Sequence, residues 1–316
     1  MAGGTREIRR RIKSINNTKK ITKAMQMVAA AKMRRAVASV LATRDYSNLA
    51  WATILHLADK TDPSMHTLLK KPEKVERVGL ILVSSNRGLC GGFNMQIVSK
   101  AIASIKKHEV AVKQTEILTL GKVGRDIIRG QGFEVVADFQ KQDITLKVSD
   151  ITSVAQLAMQ AFIEKKYDKV FVAFTDFVST LKQTPRVKQL LPIETEQDEF
   201  LGVVGKSTGI ETTKEFIDEK KDKYLQKGDY TFEYTYEPNA ATVLDALLPR
   251  LIEMQIYQAV LETEASEHSA RMVAMKNATD AANDMVYNLT LTYNRARQAG
   301  ITQEITEITA GAAALR

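Results

Sequence analysis

The chain has 316 residues, 44% of them hydrophobic and 26% charged, the make-up of an ordinary soluble protein large enough for one or two domains. No run of about 18 or more apolar residues occurs, so no membrane span is expected. The single cysteine, Cys90, excludes an internal disulfide, and with four scattered histidines (His56, His66, His108, His268) it forms no metal-ligand cluster.

The net charge of +8 is concentrated at one end. Residues 1–35 carry eleven lysines and arginines against one acid, Glu7, so the rest of the chain is slightly acidic. A basic stretch of this kind seeks phosphate, anionic lipid or an acidic protein surface. The opening "MAGGTREIRRRIKS" has no apolar stretch behind its basic start, which argues against a secretory signal. Periodic apolar residues begin at once with Ile8, Ile12 and Ile15, which argues against a transit peptide. From Glu7 to about Asp59 there is no proline or glycine, and the spacing predicts one long helix. Its seam runs Ile8, Ile12, Ile15, Lys19, Thr22, Gln26, Ala29, Met33, Ala36, Val40, Thr43 and on to Leu57, alternating three and four. Several seam positions are small or polar, so the helix is poorly suited to pairing with itself. Between Ile21 and Ala36 apolar residues lie on almost every side, which suggests contacts beyond one partner helix.

The middle of the chain alternates strand and helix. "RVGLILV" (77–83), "EILTL" (116–120), "FEVV" (133–136) and "KVFVAF" (169–174) read as buried strands, with "PRVKQLLPI" (185–193) as an edge strand. "NMQIVSKAIASIKKH", "KVGRDIIRG" and "ITSVAQLAMQAFIEKK" between them have helical periodicity. The alternation predicts a mainly parallel sheet with helices on its faces. Gly88, Gly91 and Gly92 follow the first strand, where an α/β sheet often holds a ligand. A Walker-type phosphate loop needs Lys-Ser or Lys-Thr directly after its last glycine, and here Phe93-Asn94-Met95 follows. The dinucleotide fingerprint needs G-x-G-x-x-G and an acid closing the second strand, and neither is present. The stretch therefore reads as a tight turn that carries Arg87 and brings backbone close to another surface. Cys90 reads as a buried small residue. No Ser-His-Asp set, paired carboxylate frame or metal motif appears, so no catalytic residue, cofactor or metal is assigned.

Residues 195–237 are charged and irregular until "YTFEYTYE", whose alternation suggests a return strand. A second long helix follows, with Asn239 as a plausible N-cap. Its seam runs Leu244, Leu247, Leu251, Met254, Gln258, Leu261, Ala265, His268, Met272, Met275, Thr279, Ala282, Val286, Leu289, Tyr293 and Ala296. At 1.5 Å per residue, each terminal helix spans roughly 80 to 100 Å, and two such helices flanking a compact middle can pair antiparallel. His268 on that seam reads as a packing residue.

The residues argue against two other function classes. A nucleic-acid-binding coiled coil would need stacking aromatics beside the basic stretch, but the first aromatic is Tyr46. An α/β enzyme with helical dimerisation arms is disfavoured by the incomplete glycine templates.

Four stretches together resemble the gamma subunit of F-type ATP synthases: "REIRRRIKSINNTKKITKAMQMVAAAKMRRA", "SSNRGLCGGFN", "EHSARMVAMKNATDAAND" and "YNRARQAGITQEITEITAGAAAL". The resemblance runs essentially end to end. It implies an α/β fold in which N- and C-terminal helices (1–60 and 238–316) form a long antiparallel coiled coil. A Rossmann-like domain (75–195) is inserted between them, followed by a charged insertion and return strand (196–237). It also implies a non-catalytic rotor shaft seated in a hexamer of alpha and beta subunits, with the epsilon subunit and the c-subunit ring at its foot. No nucleotide or nucleic acid would be bound, and membrane association would come only through the complex. By motif match, Met25 and Arg271 would lie where the shaft meets acidic loops of the beta subunits, and Arg87 beside another beta contact. Arg297, Gln298, Thr302 and Glu304 would make an upper polar contact, while Tyr234 and Glu237 would fall near epsilon and the c ring. The implied location is the cytoplasmic face of a bacterial plasma membrane, or an organelle for a processed chain. The segment 196–237 is longer than in many members and lacks the cysteine pair of chloroplast forms, so the resemblance assigns it no role.

Overall fold

The computed structural model describes residues 2–60, 66–108, 114–141, 147–193, 237 and 239–314. The chain divides into two compact units, one of residues 1–30 with 271–316 and one of residues 31–270. Helix α1 (Ala2–Lys60) and the last helix, α5 (Ala240–Ala314), contribute residues to both. Asn239 caps α5 as expected, its side-chain oxygen accepting from the Thr242 amide at 2.9 Å. Pro249 is accommodated inside the helix.

In the first unit the two helices pack antiparallel. Arg11, Ser14 and Ile15 share a groove with Met285, Asn288 and Leu289, while Thr22 pairs with Thr279 further down. The two threonine hydroxyls are buried and lie 2.8 Å apart. On α5, Met275, Thr279 and Ala282 are buried and Met272, Val286, Leu289, Tyr293 and Ala296 are half-buried, all positions of the seam read from the sequence. Arg271, Val273, Ala274, Ala278 and Gly300 are also half-buried. Ala2 lies as far before Thr22 as Ala299 lies beyond Thr279, so α5 outruns its partner at about Gly300. Every residue from Ile301 to Ala312 is exposed.

The second unit is built on a five-stranded sheet: β1 (Arg77–Val83), β2 (Gln114–Leu120), β3 (Val135–Phe139), β4 (Lys169–Phe177) and β5 (Gln183–Leu191). The spatial order is β3-β2-β1-β4-β5, parallel except that β5 runs antiparallel to β4. Alternation sends Leu80 and Leu82 to one face and Ile81 and Val83 to the other, and both faces are covered. Helices α2 (Phe93–His108) and α3 (Lys122–Gly130) supply Ile97, Val98, Ala101 and Ile128 to the first face. Helix α4 (Thr152–Ile163) and the 244–265 stretch of α5 cover the second. The sequence placed the third strand at 133–136. It lies at Val135–Phe139, because Phe133 leaves the ladder to pack among the first-face residues.

From Gln255 to Ser269, α5 is buried on all sides. A two-helix seam would leave an outer face wet, but the sheet covers that face here. Thr43 of α1 donates to Gln258 at 2.8 Å within this unit. Thr22 and Thr43 stand three heptads apart, as do Gln258 and Thr279, so the polar seam positions are matched pairs rather than gaps in an apolar stripe.

The link after α1 is anchored by His66. Its Nδ1 accepts from the Leu68 amide at 3.1 Å, capping a short turn with Leu68 and Leu69 buried, and its Nε2 donates to Asp245 at 3.0 Å. Burial lowers the imidazole pKa below its ordinary 6.5, outweighing the opposing pull of Asp245. The neutral form is therefore favoured by folding, and its contribution is present above about 6.5 and lost as pH falls through the folded value. His66→Asn keeps an acceptor at the cap and removes the titration. The melting temperature of the variant is expected to fall less than the parent's as pH drops below 6.5. Parallel curves for the two proteins would exclude His66 as the source.

Candidate functional site

The glycine turn lies at the carboxyl end of β1, where β2 and β4 part to either side and an open α/β sheet leaves its ligand crevice. In this chain its own side chains occupy that place. Asn94, at the start of α2, accepts from the Ser85 amide at 3.1 Å and donates to Ser85 Oγ at 2.8 Å and to Cys90 Sγ at 3.2 Å. Ser85 Oγ donates in turn to the Arg87 carbonyl at 2.8 Å. Ser85, Cys90 and Asn94 are all buried. Gly91 takes φ +60°, a left-handed conformation that glycine adopts without strain. The polar side chains at this end of β1 are engaged with one another and with the turn. Isothermal calorimetry is expected to find no micromolar ATP or ADP site on the isolated chain, and a stoichiometric one would refute this account of the turn.

Two glycines outside that motif carry tighter constraints. Gly121 has φ +113°, and a Cβ there would run into the carbonyl of Ser84. A Cβ on Gly124 would lie 2.6 Å from the Ser84 Cβ. Ser84 Oγ accepts from the Gly124 amide at 3.0 Å and donates to the Gly121 carbonyl, so α3 starts hard against the end of β1. The sequence pattern gives no sign of this, since the approach is set by a serine 37 residues away from Gly121.

The residues singled out from the motifs are spread over the molecule rather than gathered in a pocket. Met25 is half-buried on α1, while its neighbours Ile21, Met27 and Val28 are 60%, 59% and 57% exposed. Arg87 is exposed at the turn, and Arg271 is half-buried on α5. Arg297, Gln298, Thr302 and Glu304 are exposed, with Gln298 and Thr302 one helical turn apart. Glu237 is exposed, and Tyr234 lies outside the described residues. Among the described residues no group of acids, histidines and cysteine could hold a metal ion.

Sequence reasoning missed a buried ion pair. Lys141, after β3, donates to Glu267 of α5 at 2.7 Å, with side chains 3% and 8% exposed. The Asn86 amide donates to the Lys141 carbonyl. Nothing in the loop "QKQD" marks this lysine, which meets a residue 126 positions away.

A family model described as ATP synthase matches residues 4–315. The ATP synthase gamma chain of Chloroflexus aurantiacus is 41% identical over 313 residues, 98% of each chain. That of Legionella pneumophila is 36% identical over 313 residues, 99% of each. Among solved structures, the chain is similar to one in the rotor of Euglena gracilis mitochondrial ATP synthase, with a TM-score of 0.60, 18% identity, and coverage of 95% of this chain and 100% of that one. It is also similar to one in the central stalk and c ring of the Tetrahymena thermophila mitochondrial enzyme, with a TM-score of 0.57, 22% identity, and coverage of 82% and 99%. At these identities the structural likeness concerns the fold.

Proposed function

We propose a mechanical role on the premise that this chain belongs to the ATP synthase gamma-chain family and is a non-catalytic subunit of that enzyme. It is the rotor shaft, coupling ion-driven rotation of a c-subunit ring to conformational change in catalytic beta subunits. The terminal helices, 1–60 and 238–316, are the shaft within an alpha–beta hexamer. The α/β domain, 75–195, is the foot toward epsilon and the ring. Met25, Arg87 and Arg271 meet the beta subunits at lower contacts, and Arg297, Gln298, Thr302 and Glu304 form an upper latch. Tyr234 and Glu237 belong to the foot. No described helix is long and apolar enough to cross a membrane. Attachment at the cytoplasmic face of a bacterial plasma membrane is accordingly assigned to the complex, and the bacterial relatives support that setting.

One observation carries this reading. Large apolar residues stand exposed on the terminal helices away from their seam: Ile21, Met27 and Val28 on α1, and Ile301, Ile305 and Ile308 on α5. Exposed apolar surface of that extent asks for a partner, and a surrounding sleeve reaches both helices without needing a pocket on either. The test is to assemble the chain with alpha and beta subunits of a bacterial relative and attach a bead to the α/β domain. ATP should drive rotation in one direction, and a complex that hydrolyses ATP with the bead stationary would overturn the proposal.

A further inference from the structure

We infer that the buried Lys141–Glu267 pair, tied to Asn86, is a positioning clasp that holds the Arg87 turn in one orientation on the last helix. The inference rests on the rotor reading and names the joint through which the helix moves that turn. Asn86 immediately precedes Arg87, and its side chain donates to the Lys141 carbonyl, while the Lys141 ammonium donates to Glu267 at 2.7 Å. The other side of the turn is pinned to α2 through Ser85 and Asn94. The turn is thus held from two directions, and the Lys141 route leads to α5.

The same stretch of α5 fastens the sheet by directional bonds. Glu262 accepts from the Phe177 amide at 3.0 Å and Thr263 from the Thr175 amide at 3.3 Å, while Ser266 donates to the Thr175 carbonyl at 3.2 Å. These bonds serve the end of β4 beyond its pairing with β1, which stops at Ala173. An apolar contact could have filled the space with equal stability, because an ion pair recovers little beyond the cost of drying its two charges. An ion pair adds direction. A greasy interface tolerates sliding, whereas a charge-assisted bond between two buried groups fixes angle as well as distance. A turn that must follow a rotating helix without slack needs that kind of joint.

The test uses the assembled complex in sealed vesicles, with two readouts: hydrogen exchange of the amides at 86–92 and protons pumped per ATP hydrolysed. Asn86→Ala removes the tie while leaving the buried pair in place. Lys141→Met with Glu267→Met replaces the pair by apolar side chains of similar length. In both, the turn is expected to exchange about tenfold faster, and the pumping ratio to fall about twofold or more. Lys141→Arg keeps the cation and should recover both readouts. If the double variant fails to assemble, Asn86→Ala decides alone. Unchanged exchange in Asn86→Ala overturns the clasp. Faster exchange with an unchanged pumping ratio also overturns it, since the turn would then be loosened without consequence. A parent complex that hydrolyses ATP without pumping would instead count against the rotor reading, independently of the exchange result.

Discussion

Replacing Met25 by lysine is expected to leave the complex assembled and hydrolysing ATP but to lower the protons pumped per ATP. Met25 is half-buried on α1, in a stretch that already holds Lys19, Lys20 and Lys23, with Lys23 engaged by Gln26 at 3.2 Å. A lysine at position 25 is long enough to carry its ammonium out to the surface while its stem stays against the helix. If Met25 faces an acidic loop of a beta subunit as proposed, the lysine would form an ion pair that must break at each step. Close charge pairs at interfaces couple by about 1.5 to 7 kcal/mol, enough to hold a rotor in one orientation. Folding should change little, because the new charge need not be buried. Pumping and hydrolysis measured together in vesicles decide the matter, and an equal ratio in variant and parent would refute the prediction.

Truncation of α5 from its carboxyl end should reduce torque in two stages. The segment from Thr309 onward is small and exposed wherever it is described. At roughly 25 cal/mol per Å² of apolar surface, its loss weakens the centring of the shaft and deletes no obligatory polar partner. Cutting back through Glu304, Thr302, Gln298 and Arg297 would remove the directional bonds of the proposed latch, each worth about 0.5 to 3 kcal/mol. Single-molecule rotation should therefore decline gently to about Thr309 and steeply before Gln298. Collapse of rotation on removing only the last eight residues, with assembly intact, would make the tip a specific contact rather than a bearing.

What the sequence made legible divides along a physical line. The seams of the terminal helices were readable over most of their described length, because burial against one partner repeats every three and four residues, though Leu247, placed on the seam, is exposed. The polar members Thr22, Thr43, Gln258 and Thr279 fell on the frame before any partner was known. Strand β1 was readable to the residue, since its apolar run, buried on both faces, stops at Ser84. Strand β3 was displaced because its residues alternate between half-buried and exposed and leave a weak boundary. The fully buried stretch of α5, residues 255–269, was hidden for a different reason. Glu262, Glu264 and Glu267 look like the wet face of a helix until a sheet is laid on them, and no local pattern announces a sheet nearly 90 residues away. The site residues on exposed helix surface were reached only through motif resemblance, since an exposed arginine in isolation carries no signature of its partner.

The overhang of α5 beyond the start of α1 also bears on how such a complex comes together. From Ile301 onward the helix has no α1 alongside it, and all of its side chains through Ala312 face solvent. The segment extends an existing helix and so needs no nucleation, but propagation gains little in water without packing, and the end frays. Threonines at 302, 306 and 309 and a glycine at 311 weaken it further. In the free chain the end of α5 should melt and re-form continually, and a protease should trim it long before it touches the sheet. Closure of a ring of subunits around the segment would make it a lasting helix. On the proposed seating, the last turns of the shaft would be ordered by the subunits that enclose them, and resistance of this end to proteolysis would report whether the ring has closed.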